Sequence, residues 1–117
     1  MQNLDTSALP LEAITHFESA SASALQLAST HSEARVHWLR FEAGGRIGLH
    51  RAGFDQLFLP VLGAGWVETD TEPRQPVAVG QAAVFRTGEV HAKGTDGGLQ
   101  ALMIQLTDAD LALLDLQ

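Results

Sequence analysis

Between Glu33 and Leu106 the chain alternates short apolar runs with glycine, proline and aspartate punctuation, and it nowhere sets its apolar residues at helical spacing. Ala34, Val36, Trp38 and Arg40 alternate with Arg35, His37, Leu39 and Phe41, as a strand with two differently occupied faces would, until Gly44 and Gly45 end the run. Further strand-like runs follow at Gln56–Leu62, Gly65–Thr69, Pro76–Val79, Ala82–Arg86 and Leu99–Leu106. Regular short strands of this kind predict an all-β sandwich or barrel. Only the tail reads otherwise. Thr107 can cap an acidic first turn, and Leu111, Leu113, Leu114 and Leu116 follow at spacings that predict a short C-terminal helix. The first thirty residues, with the small-residue run Ser19–Ala24, are weakly patterned and are expected at an edge.

At 117 residues and 12.5 kDa the chain holds one core, so residues 1–117 are taken as a single domain. Seven basic against fourteen acidic residues leave a net charge of −7, which repels nucleic acid and anionic lipid. Cysteine is absent, which removes disulfides, a thiolate nucleophile and cysteine metal sites. The apolar stretch from Leu57 to Val67 is broken by Pro60, Gly63 and Gly65 and is shorter than the ~20 residues of a membrane helix. The N-terminus carries an acid where a signal peptide has basic residues, so a cytoplasmic location is expected. No Gly-x-Ser-x-Gly elbow and no phosphate-cradling glycine loop is present.

Two glycine-to-histidine segments stand out. In the first, Gly44 is followed after five residues by His50, then Ala52, Gln56 and Gly63; in the second, Gly80 is followed after five residues by Arg86, then Gly88, His91 and Thr95. This layout resembles the two-part signature of the cupin superfamily. Gly44, His50, Gly63, Gly80, Gly88 and His91 keep its register, while Ala52 stands for a second histidine, Gln56 for glutamate, Arg86 for proline and Thr95 for asparagine. The resemblance implies a cupin-type double-stranded β-helix, a jelly-roll barrel of the RmlC-like kind, with the histidines converging inside it. It also implies a small-molecule ligand and a homodimer.

In complete cupins three histidines and a carboxylate hold a divalent metal. The set implied here is thinner: His50, Gln56 and His91 would hold iron, manganese, zinc or nickel. Glu89, two residues before His91, is a candidate alternative ligand or a group that orients the imidazole. Phe58, Trp66 and Phe85 are candidates to line a ligand pocket, against the plainer role of filling the core. Arg51, Arg86 and Lys93 flank the histidines and are expected at a solvated rim. His37 is expected as a wall residue, and His16 and His31 at the surface. Several functions stay open at this level: a weak metal site used for oxygenation or isomerisation, a metal-free binding or sensing module, an epimerase-like acid–base enzyme using barrel histidines, and a chiefly structural dimer whose histidines satisfy one another.

Overall fold

A computed structural model describes residues 1–112. Its strands, in chain order, are β1 (Gln2–Asp5), β2 (Glu12–Ala13), β3 (Ser23–Ala24), β4 (Ala28–Ser29), β5 (Ala34–Phe41), β6 (Arg46–Arg51), β7 (Asp55–Thr69), β8 (Gln75–Ala78), β9 (Gln81–Phe85), β10 (Val90–Gly94), β11 (Leu99–Leu106) and β12 (Asp110–Leu111). All pairings are antiparallel. One layer runs β1-β9-β7-β11-β5 and the other β6-β10-β7-β8, so β7 belongs to both.

The two runs that the sequence separates at Gly63 are this one strand. Its first half pairs with β9 and β11, its second with β8 and β10. The change of layer needs local irregularity, and Pro60 and Gly63 supply it. Against β11 the register skips Val61, a bulge placed beside a proline that has no N–H to give to a ladder. Gly63 sits at φ +83°, and a Cβ there would run into the carbonyl oxygen of Gly98. Gly63→Ala is therefore expected to cost about 2 kcal/mol, since it adds positive-φ strain to a backbone collision, and urea unfolding measures it.

Alternation sorts the residues around this frame. Phe41, Phe58, Val67, Val77, Ala83, Phe85, Leu99 and Ala101 form the cluster between the layers. Leu57, Val84, Leu106 and Leu111 form a second cluster, packed against Leu9 and Leu27. The weakly patterned N-terminus is thereby tied down: β1 adds an edge to β9 of its own layer, and β4 pairs with β12. The expected C-terminal helix falls largely on residues 113–117, outside the described part. The segment leading to it, Asp110–Leu111, pairs as a strand, and Thr107–Asp108 forms a turn with Asp108 at φ +50°. Among the described residues no helix is long and apolar enough to cross a membrane.

Candidate functional site

The histidines come from β6 and β10, two strands that alternation did not single out and that the glycine-to-histidine spacing did. His50 and His91 are direct cross-strand partners, so their side chains share a face of the sheet. Their ring centroids are 4.7 Å apart at an interplanar angle of 52°. His50 is exposed, and its Nδ1–H donates to the Gly48 carbonyl at 2.8 Å. His91 is fully buried, with its ring edge-on to Phe85 at 4.2 Å. Among the described residues neither nitrogen of His91 has a hydrogen-bond partner. Burial, followed by the charges of Lys93 and His50, pushes the His91 imidazole down to about 3, so it is neutral at pH 7. The histidines meet but do not satisfy one another.

Below this pair lies a cation. Lys93 follows His91 by two positions on β10 and shares its inward face; its side chain is 1% exposed. Its Nζ donates to Oε1 of Gln56, itself 3% exposed, and lies 5.2 Å and 5.3 Å from the ring centroids of Phe58 and Phe85. Burial pushes the ammonium down to about 8, and no carboxylate pairs with it in the described residues. Its expected place on the rim is thus corrected: the layer that buries His91 buries Lys93 too. Arg51 does stay at the surface, donating to the Gly88 carbonyl at 2.7 Å.

Other candidates are placed elsewhere. Glu89 does not reach the His91 imidazole. One of its oxygens accepts the Arg86 amide at 2.7 Å and the other the Met1 amino group at 2.7 Å, because Glu89 belongs to the turn before β10 and strand alternation does not govern it. Ala52 is buried, and only its backbone bonds, to Glu89 and Gly88. Phe58 and Phe85, both fully buried, pack in the cluster between the layers, whereas Trp66 stands on the outside of its layer. There its indole lies across Gly94, where a Cβ would be 2.5 Å from the ring, and beneath the Arg74 guanidinium at 3.5 Å. Trp66 and Arg74 border a cleft of about 580 Å³ that none of the histidines lines. His37 is exposed and bonds Gln105, and His16 and His31 are exposed.

The donor set fits a divalent metal poorly. Among the described residues no group of three or more histidine and carboxylate side chains is placed to hold one. The oxygen that the cupin resemblance offers as a ligand, Gln56 Oε1, already accepts from a buried ammonium. A dication would share the interior with that charge.

No protein-family model and no curated protein matches the chain. Solved structures do. A cupin-like protein of Thermotoga maritima superposes with a TM-score of 0.61 at 21% identity, over 67% of this chain and 63% of that one, so the match spans less than two thirds of its length. A cupin superfamily protein of Desulfitobacterium hafniense gives 0.61 at 18% identity over 70% and 77% of the two chains. A Thermotoga maritima protein called a predicted oxalate decarboxylase gives 0.57 at 22% over 63% and 67%. What these structures share with this chain is the fold: its two antiparallel layers joined through β7 superpose on cupin structures, and the chain has the cupin fold.

Proposed function

We propose that this protein is a small-molecule-binding cupin in which Lys93, rather than a divalent metal, supplies the positive charge of the interior. The observation that carries this reading is the buried contact between Lys93 Nζ and Gln56 Oε1. A metal at His50, Gln56 and His91 would displace that bond and sit close to the ammonium. At ~4 Å and an effective dielectric constant of ~20, a dication and an ammonium repel by about 8 kcal/mol. Two imidazoles and an amide, without a carboxylate, offer little to offset it. Oxygenation through a bound metal is therefore disfavoured, and recognition of a ligand by hydrogen bonds and charge is favoured.

Metal analysis of untagged, gently purified protein tests the reading. Iron, manganese, zinc and nickel are expected at background. Stoichiometric metal that disappears in His50→Ala and His91→Ala would overturn it. The homodimer and the cytoplasmic location expected from the sequence belong to the same proposal; light scattering checks the first, and a single mass near 12.5 kDa would count against it.

A further inference from the structure

We infer that the ligand is a small carboxylate anion seated between Lys93 and His91, in an interior that holds an ammonium and, among the described residues, no counter-charge; the inference rests on the metal-free reading above. An ammonium has three N–H donors, and Lys93 uses one of them on Gln56. His91 adds an N–H and a lone pair, both buried and both without a partner among the described residues. Buried groups of this kind are ordinarily satisfied, so something outside the chain completes them. The nearby acids are committed elsewhere. Asp55 accepts from Thr87, Ala109 and Arg86, and Glu89 accepts from the Arg86 amide and the Met1 amino group. Among the described residues the interior charge is thus uncompensated, and an anion is what it lacks.

The surroundings narrow the anion further. Phe58 and Phe85 flank the ammonium, and Phe85 also meets the edge of His91. These walls suit an anion with a short apolar remainder. A carboxylate has two coplanar oxygens, one for the Lys93 ammonium and one for the His91 N–H, in a charge-assisted pair of bonds. The exposed His50 ring packs against His91 and, among the described residues, hydrogen-bonds only the Gly48 carbonyl of its own strand.

The probe is sodium acetate, with the neutral isostere acetamide and sodium chloride at matched ionic strength as comparisons, titrated into the full-length protein after a chelator wash. Metal content is measured on the same samples before and after. Acetate is expected to bind saturably and raise the melting temperature. Acetamide is expected to bind at least about tenfold more weakly, chloride to give no comparable shift, and Lys93→Met or Lys93→Gln to lose acetate binding. Metal-free protein that shows no saturable acetate binding up to ~100 mM, or that binds acetamide equally well, overturns the carboxylate assignment and leaves the metal-free reading standing. Acetate binding that vanishes together with a chelated metal overturns both.

Discussion

Lys93→Met is expected to yield a protein about 2 kcal/mol more stable than the parent at pH 7. Burial pushes the ammonium from its ordinary value of 10.5 down to about 8, a desolvation cost of about 3 kcal/mol whenever both the folded and unfolded chains are protonated. Methionine has a similar length and no charge to desolvate. The substitution returns part of this gain, about 1 kcal/mol, because Gln56 Oε1 loses its donor in a buried place. The sign with pH follows from the depressed value. Between 10.5 and about 8 the unfolded chain takes up a proton that the folded chain does not, so the parent becomes less stable as pH falls through this window. Lys93→Met lacks that slope. The two stability curves should lie apart at pH 7 and draw together by pH 10, as urea midpoints across the range would show. Curves that stay parallel, or a variant less stable than the parent, would mean that the ammonium is not buried as described. A group that lowers stability at the centre of a fold is the kind of residue that binding sites retain.

That lysine also shows where sequence reading reaches its end. The pair His50 and His91 was legible because two fixed offsets from glycine put each on a strand, and the cross-strand register then brought the rings together. Lys93 follows His91 by the two-residue step that sets a common face, so the signal was present. The general exposure of lysine argued the other way, and burial depends on what lies across the interior, here Gln56, Phe58 and Phe85, which are distant in sequence. Glu89 fails in the opposite sense: the same two-residue step was applied where the chain is a turn. Trp66 and Val67 are adjacent and both apolar, and nothing within their run tells which points inward. The answer lies on the neighbouring strand, where Gly94 leaves room for an indole on the outer face. The run before Gly63 and the run after it read as two strands because glycine ordinarily punctuates, whereas a bulge and a bend let one strand serve both layers.

Asp55→Asn is expected to lower stability by about 3 kcal/mol, a fall in melting temperature on the order of 15 °C for a domain of this size. Asp55 opens β7 and is 3% exposed. One carboxylate oxygen accepts the Thr87 amide at 3.0 Å and the Thr87 hydroxyl at 3.1 Å, with Arg86 Nε at 3.4 Å; the other accepts the Ala109 amide at 3.0 Å. It therefore fastens the turn before β10 and the turn after β11 to the strand that both layers share. Asparagine has one acceptor oxygen and one donor nitrogen, so one of the two amides must face an N–H instead of an oxygen. Burial by itself would push the Asp55 carboxyl up, but the Thr87 and Ala109 amides, the Arg86 charge and the Thr87 hydroxyl together hold it below its usual range. Its contribution is accordingly present above the ordinary carboxylate value of 3.8 and is lost as pH falls through the lower, folded value. His91 acts at higher pH: with its imidazole pushed from 6.5 to about 3, the unfolded chain gains a proton that the folded chain refuses, and stability declines across that interval. Asp55→Asn leaves the His91 slope intact and removes only the steeper loss at the acid end. Parent and variant should run parallel from pH 7 to pH ~5 and converge below pH ~4, and a constant separation down to pH ~2 would mean that the carboxylate holds neither turn.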